Sequence, residues 1–586
     1  ELGLAGLALL LMAVLPVVEL SLGWVHIGFK GSVNYVQNLT LWVGFLGAMI
    51  ASRQKKHLTL TTGIHLLPPL YQRIARVFSS LVSVTVSTGL AWASATFVRS
   101  EMASPNRIAD WLPAWIPELI LPVSFAVMTL RFVGQAGDGK DRAIAFLGIP
   151  LAAALGFGLA DHAAGLLWPG VGVILAATVL GAPIFVAMGG TALLLFFSDG
   201  TPVASVPVET YGLMISPSIP TVPLFTLTGY ILAEGGSSKR LLRLFQALFG
   251  WMPGGLAVVA TLVCSFFTTF TGASGVTILA IGGLLYPVLI KSGYRERFAT
   301  GLLTSTGSLG LLFPPSLPVI LYAIVARVPI PDLFRAGAVP GVLLVGAILV
   351  YAIWEGVRRK VERQNFKISE VGAALWEAKW EVLLPVVALV SIFGGFCTLI
   401  QASAITVLYA LAVETVLHRD LHLRRDFPRI LVSCAELIGG VFVILGVAMG
   451  LTNYLIDAEV PSKGVAWVKE RIHSRGMFLL ALNGFLLVVG CLMDIYSAIA
   501  VVVPLILPIA AAYGVAPLHL GILFLANLEL GYLTPPVGMN LFLASYRFEK
   551  PVLTVTRASL PFLLLLMIAV LIITYAPGLT GMGGTP

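Results

Sequence analysis

Two stretches decide how this chain is read: LGLLFPPSLP, Leu309–Pro318, and LGYLTPPVGMN, Leu530–Asn540. Each sets a double proline inside a long apolar run. One proline there already removes a backbone donor and displaces the carbonyl of the preceding turn. Pro535 follows Pro314 by 221 residues, and at that offset residues 287–341 align with 508–562 without a gap. Pro287 falls on Pro508, Gly293 on Gly514, Gly310 on Gly531, Pro314 and Pro315 on Pro535 and Pro536, and Pro340 on Pro561. Leucine matches are cheap in an apolar chain, but matched prolines and glycines are not. The chain contains an internal duplication.

The setting of the breaks is a membrane. Of 586 residues, 58% are hydrophobic and 11% charged, against roughly a quarter charged in soluble proteins. Apolar runs of about 20 residues, enough to cross a bilayer as a helix, recur throughout. Leu2–Leu22, Leu39–Ala51, Val77–Val98, Pro113–Phe132 and Pro561–Tyr575 are examples, the second short unless extended backwards. The expected fold is an all-α polytopic membrane protein. A membrane barrel would show alternating strands of about ten residues instead. The first run lacks a basic leader and a small-residue cleavage site, which predicts a retained span.

The formal charge of +8 lies in short loops between apolar runs, where basic residues mark the cytoplasmic side. Arg53, Lys55, Lys56, Arg73 and Arg76 form one such loop; Arg358, Arg359, Lys360, Arg363 and Lys367 form another. This distribution points to membrane lipids and not to nucleic acid. Cys264, Cys397, Cys434 and Cys491 are too scattered for a metal or redox motif and read as packing residues.

Residues 1–135 hold four spans, and placing the Arg53–Arg76 loop inside puts the N-terminus inside too. GQAGDGKDR, Gly134–Arg142, is the clearest boundary. Residues 136–167 read as a linker with a connecting helix over the apolar segment Ala143–Ala160, and 168–586 as a second, larger part. The stretch Asp199–Pro217 lacks Lys and Arg and looks external, whereas span counting puts it inside. Charge leaves the topology of 143–220 open.

Broken helices at matching positions of two repeats are the pattern of secondary transporters. Freed backbone groups survive in a membrane only where they line a cavity or are covered by protein. There, carbonyls can coordinate a cation and half-helix N-termini can face an anion. One Pro-Pro alone reads as a kink filled by neighbouring helices; two in register read as half-sites. Each break is preceded by a second irregular element. FFTTFTGASGVTILAIGG, Phe266–Gly283, reads as a re-entrant hairpin with its tip at Thr271–Gly275, and VVGCLMDIYSAIAVV, Val488–Val502, as its counterpart. Asp494 in the latter is the one obvious buried acid near a break, a functional candidate by its setting; the plainer alternative is a carboxylate that only anchors a helix.

These residues resemble the membrane part of tripartite ATP-independent periplasmic (TRAP) transporters. The resemblance rests on IPTVPLFTLTGYILAEGGSSKRL (Ile219–Leu241), GGLAVVATLVCSFFTTFTGASG (Gly254–Gly275), LLFPPS (Leu311–Ser316), LFRAGAVPG (Leu333–Gly341) and GYLTPPVGMNLF (Gly531–Phe542), in the order of the family's large subunit. FLGAMIASRQKKHLTL (Phe45–Leu60) is similar to the small subunit. The resemblance implies both subunits fused, in a bacterial inner membrane. It implies an elevator-type transporter: a transport domain of two inverted repeats, each a hairpin plus an interrupted helix, braced by a four-helix small-subunit domain. It implies sodium as coupling ion with no other cofactor, and an organic acid delivered by a soluble periplasmic binding protein. The sodium oxygens expected are those of Thr271, Gly272, Ser274 and Ser316 in one site, and of Asp494, Gly531, Thr534 and Gly538 in the other. Ser274, Pro314, Pro315, Pro535, Pro536 and Asn540 are expected to line the substrate site. In GGFCTLIQAS, Gly394–Ser403, Gln401 stands where the family's usual motif has glutamate, and the motif's proline is missing.

Other functions fit less well. A sodium-coupled carboxylate carrier without a binding protein would not need the four-span brace. An intramembrane enzyme needs a partner for Asp494; His57, His65, His418 and His422 fall in polar loops, and His519 opens a helix with no partner nearby in sequence. A channel filter needs rings of donors. No phosphate-binding G-x-x-x-x-G-K-[ST] loop is present, so ATP does not drive the chain directly. C4-dicarboxylates, sialic acid, keto acids and other organic anions remain open as substrates.

Overall fold

The computed structural model describes residues 1–581 apart from 27–30, 55, 56, 58–67, 104, 105, 110, 159–162, 273, 362 and 364. Lys55, Lys56, His65 and the end of the Ala143–Ala160 segment therefore lie outside the described residues.

The chain opens with α1 (Leu2–Trp24), α2 (Ser32–Gln54), α3 (Pro69–Ala103), a small hairpin of β1 (Arg107–Ala109) and β2 (Leu112–Pro113), α4 (Trp115–Glu118) and α5 (Ile120–Gln135). There follow α6 (Gly139–Phe146), α7 (Gly148–Ala153), α8 (Ala163–Val179), α9 (Ile184–Ser198), α10 (Ser205–Met214), α11 (Thr221–Glu234) and α12 (Ser237–Phe249). Next come α13 (Gly255–Thr271), α14 (Ser274–Val276), α15 (Gly283–Lys291), α16 (Glu296–Thr306), α17 (Leu317–Val325) and α18 (Ile330–Arg359). After α19 (Ile368–Glu377), α20 (Lys379–Phe393) and α21 (Leu399–Ala412) lie α22 (Phe427–Asp457) and α23 (Val460–Arg471). The chain ends with α24 (Arg475–Leu492), α25 (Ile495–Ala512), α26 (Pro517–Gly531), α27 (Met539–Phe548) and α28 (Val552–Tyr575). Among the described residues ten helices are long and apolar enough to cross a membrane. The protein is an all-α polytopic membrane protein.

Cα proximity divides the chain into two compact units, Glu1–Pro223 with Leu431–Lys463, and Leu224–Ile430 with Gly464–Pro586. In the first, the run at Leu39–Ala51 extends back to Ser32. Its polar start (Asn34, Gln37, Asn38, Thr40) suits a helix covered by protein: α1 and α5 pack on α2, and sixteen of its residues are buried. Thr40 and Asn38 bond back to the carbonyls of Val36 and Asn34, so these two donors are met within the helix. A Cβ at Gly47 would collide with the Ala435 carbonyl, and one at Gly439 with the backbone of Ala48; two glycines let α2 and α22 cross at backbone distance. The expected connecting helix is a chain of short pieces, α6, α7 and a π turn at Ala154–Gly158. It is fastened to α3 by Arg73 on Asp141 at 2.9 Å. Asp199–Pro217 is not an open loop but carries α10. His57 is no polar-loop residue: its ring packs against Phe132 and Phe185, and burial pulls its pKa down to about 4.

In the second unit the duplication spreads well beyond the aligned stretch. At the 221-residue offset, Leu492, Ile495, Ala512 and Pro517 bound the later elements where Thr271, Ser274, Lys291 and Glu296 bound the earlier ones. Both double prolines are cis. Copy one is therefore α13 to α18 and copy two α24 to α28. The copies interlock reciprocally: α16 lies on α28 while α18 lies on α26, and α17 lies on α25 while α27 lies on the π segment Thr277–Gly282. Such exchange is what a two-fold relation between copies produces.

One ion cluster fastens α12, just ahead of copy one, to the elements between the two copies. The buried Arg240 guanidinium on α12 donates to Glu381 on α20, to Glu414 after α21 and to Asp420. Ser237 adds a bond to Glu414. Replacing Arg240 with Met removes the donor and leaves the carboxylates facing one another, which should cost about 3–5 kcal/mol. Gly439→Ala, which forces two helix backbones apart, should cost about 1–3 kcal/mol. Thermal unfolding of the purified variants in detergent checks both, and melting curves that overlay the parent would refute the two packing accounts.

Candidate functional site

Copy one brings a hairpin tip onto a helix break. α13 ends at Gly272, whose φ of +63° suits only a residue without a side chain. A Cβ there would lie 2.7 Å from that of Leu317, the residue after Ser316, so the tip rests on the start of α17. Below the tip, Thr268 Oγ1 donates to the Gly307 carbonyl at 2.9 Å, and Thr269 Oγ1 donates to that of Gly310 at 3.2 Å. The freed carbonyls of the break are thereby met by hydroxyls of the hairpin. Gly310 is glycine because a side chain would enter the backbone of Ser265 and Thr269.

The predicted residues of this half gather here. Thr271 and Ser274 are 2% exposed and Ser316 is fully buried. The hydroxyl oxygens of Ser274 and Ser316 have no hydrogen-bond partner among the described residues. The Gly272 carbonyl accepts a 2.6 Å bond from the Tyr496 hydroxyl of α25, which ties the two hairpin tips together. Pro314 is partly and Pro315 wholly covered by protein.

Copy two repeats the scaffold with other side chains. A Cβ on Gly531 would strike Gly490 and Cys491, the same hairpin-to-break approach. The Gly538 N–H donates to the Cys491 carbonyl at 3.1 Å. The carbonyl oxygens of Tyr532 and Thr534 both converge on Gly538. Tyr532 accepts from the Ile495 N–H at 2.7 Å. Thr534 donates to the Leu530 carbonyl at 2.9 Å. Pro535 and Pro536 are exposed, unlike their counterparts. Asn540 is buried and donates to the Thr304 carbonyl at 3.3 Å and to Ser308 at 3.5 Å, with its own oxygen unpartnered.

Asp494 stands at the tip as the N-cap of α25, accepting from the Ser497 N–H at 3.1 and 3.3 Å and from its hydroxyl. The spacing D-x-x-S ahead of an apolar run is the signal for this role. Asp494 is not the one buried acid near a break. Glu529, two residues before Gly531, is 1% exposed, and neither carboxylate oxygen has a partner among the described residues. Reading the sequence missed it because it sits just ahead of the proline motif, within an apolar run. His519 does have partners: Thr580 Oγ1 at 3.2 Å and the Thr574 carbonyl at 3.3 Å. Tyr496 and Tyr532, also unforeseen, lie inside the quoted motifs, but their reach depends on the fold. Gln401 completes a capping box on α21, its N–H donating to Thr398 Oγ1 and its Oε1 accepting from the Thr398 N–H. Glutamine performs that task as glutamate would.

Residues 171–579 match the family described as the tripartite ATP-independent periplasmic transporter, DctM component, and residues 12–139 match the DctQ component. The chain belongs to the TRAP transporter family. It joins the small and large permease components in one polypeptide. The isethionate TRAP transporter permease protein DctMQ of Oleidesulfovibrio alaskensis is 31% identical, over 92% of this chain and 86% of its own length. The C4-dicarboxylate TRAP transporter large permease protein DctM of Pseudomonas aeruginosa is 33% identical over 67% of this chain and 91% of its own. A solved transporter, YdaH of Alcanivorax borkumensis, covers 72% of this chain with a TM-score of 0.48 at 14% identity. As a TRAP permease the protein is a multi-pass bacterial inner-membrane transporter component and not an enzyme. It belongs to binding-protein-dependent secondary transport.

The cap role of Asp494 is testable apart from transport. Asp494→Ala should cost about 0.5–2 kcal/mol, and Asp494→Asn, which keeps an acceptor, much less. Thermal unfolding in detergent checks this; equal losses for both would contradict the cap assignment.

Proposed function

We propose that this TRAP permease imports an organic acid by sodium-coupled elevator movement of its two-copy domain. The observation that carries the reading is the pair of hydroxyls at the first tip. Ser274 and Ser316 are buried, have unspent oxygens, and lie where the tip bearing Thr271 and Gly272 meets the break. A small hard cation satisfies such oxygens; an apolar neighbour does not. In the second site Asp494, Thr534 and the carbonyls of the Gly531–Gly538 turn provide the oxygens. The N-termini of α17, at Ser316, and α27, at Gly538, offer positive dipole ends for the substrate's anionic group. Pro314, Pro315, Pro535, Pro536, Ser274 and Asn540 surround that region in this reading. The relatives named for isethionate and C4-dicarboxylate fit an anionic substrate. Selection rests largely on a periplasmic binding protein, since the loops of this chain are short.

Uptake into proteoliposomes supplied with the cognate binding protein should stop when sodium is replaced by potassium or choline. Transport that continues unchanged would overturn sodium coupling, and saturable uptake without the binding protein would overturn that dependence. Asp494→Asn keeps the cap but removes the charge. It should leave a monodisperse protein whose sodium midpoint is raised on the order of a hundredfold, as loss of a charged ligand in a water-poor site predicts. An unchanged midpoint would exclude the carboxylate from the ion site.

A further inference from the structure

One end of the second unit inverts the usual arrangement of a surface helix. α19 buries a single residue, Ala374, against Leu244 of α12. Its acids turn the same way: Glu370 and Glu377 both pair with Arg243 of α12. Residues 370, 374 and 377 share one helical face. The opposite face carries Ile368, 81% exposed, Leu375, and Trp376, 73% exposed. A helix that gives its carboxylates to a neighbouring arginine and leaves isoleucine, leucine and tryptophan on its outer face is covered by something apolar.

The basic residues around it are arranged to match. Gly356, near the end of α18, rests on Gly254; Trp251 of the same turn packs on Phe366 at 6.1 Å; and α12, which ends just before that turn, carries α19. The end of α18, with Arg358 and Lys360, and Phe366, which Lys367 follows, are thus held beside α19. Arg358, Lys360, Arg363 and Lys367 are exposed, and among the described residues none has a carboxylate within ion-pair distance. Among the described residues Glu355 is engaged by Arg359 and Glu381 by Arg240, and Glu362 lies outside the described residues. Lys379 lies 3.2 Å over the Trp376 ring, and Arg358 lies 5.0 Å over that of Trp354. Cations beside exposed indoles are the composition of a membrane interface.

We propose that this surface is a binding site for anionic phospholipid of the cytoplasmic leaflet, with headgroup phosphate held by Arg358, Lys360, Arg363 and Lys367 and acyl chains covering Ile368, Leu375 and Trp376. Charge asymmetry that serves topology alone needs no paired apolar face and no freedom from carboxylates. Here an apolar face lies beside cations with no ion-pair partner among the described residues, and such cations select a negative headgroup over a zwitterionic one.

Native mass spectrometry of the detergent-purified chain, titrated with phosphatidylglycerol or phosphatidylcholine, tests the site. Phosphatidylglycerol should be retained and phosphatidylcholine lost, and glycerol phosphate at the same concentration should not compete. Replacing Arg358, Lys360, Arg363 and Lys367 together with Gln should weaken the anionic lipid on the order of a thousandfold. If that variant fails to insert, brominated phosphatidylglycerol decides on the otherwise native chain. Quenching of tryptophan fluorescence should fall when Trp376→Phe removes the contributing ring, and brominated phosphatidylcholine should quench that ring less. Equal retention of the two lipids, an unchanged affinity in the Gln variant, or quenching that Trp376→Phe does not reduce would each overturn the proposal.

Discussion

A helix broken inside an apolar medium must give its freed backbone groups to protein, because no water is there to take them. The second unit is organised around that constraint. Each break is covered by the first arm of the hairpin that precedes it, at a distance only glycine permits: Gly310 against Ser265 and Thr269, Gly531 against Gly490. In copy one the cover is chemical as well as steric, since Thr268 and Thr269 donate to the carbonyls of Gly307 and Gly310. The hairpin is therefore part of what makes the break tolerable, and the two elements form one structural module.

The two modules share a scaffold and differ in chemistry. At the repeat offset the prolines and the break glycines coincide, but the side chains that could hold a ligand do not. Ser316 corresponds to Val537, Phe313 to Thr534, Ala273 to Asp494, Ser308 to Glu529 and Val319 to Asn540. Copy one presents neutral hydroxyls in a buried break; copy two presents carboxylates beside an exposed one. Backbone geometry constrains both copies alike, because the cost of an uncovered break is the same in each. Ligand chemistry is under no such shared constraint, so a pseudo-symmetric frame can hold two unlike half-sites. Tyr496 then joins them across the symmetry by its bond to the Gly272 carbonyl.

Charge is distributed by a related logic. Where carboxylates are buried, as around Arg240, several elements converge on one guanidinium, whose planar fork supplies donors in several directions. Cutting that connection strands charges that water cannot reach. Basic residues without partners collect instead at the rim, beside tryptophan and isoleucine. Around Arg240 buried charge is neutralised locally; Glu529, whose carboxylate has no partner among the described residues, is the exception.

The amino-acid sequence by itself determined that the chain crosses a membrane, that it is duplicated, and where both copies break. Hydropathy and proline act locally, so their consequences can be read residue by residue. The family resemblance pointed to Thr271, Gly272, Ser274 and Ser316, and the approach of Gly272 to Leu317 brings that tip and break together. What the folded chain alone decided is which groups still have unspent valence. Asp494 reads as a lone buried acid until Ser497 folds back onto it, and Glu529 reads as one polar letter among many until the fold buries it with no partner for either oxygen among the described residues. His519 reads as partnerless until Thr574 and Thr580, far along the chain, come to meet it. Hydrogen-bond satisfaction is a property of three-dimensional neighbours, and no periodicity in one dimension records it.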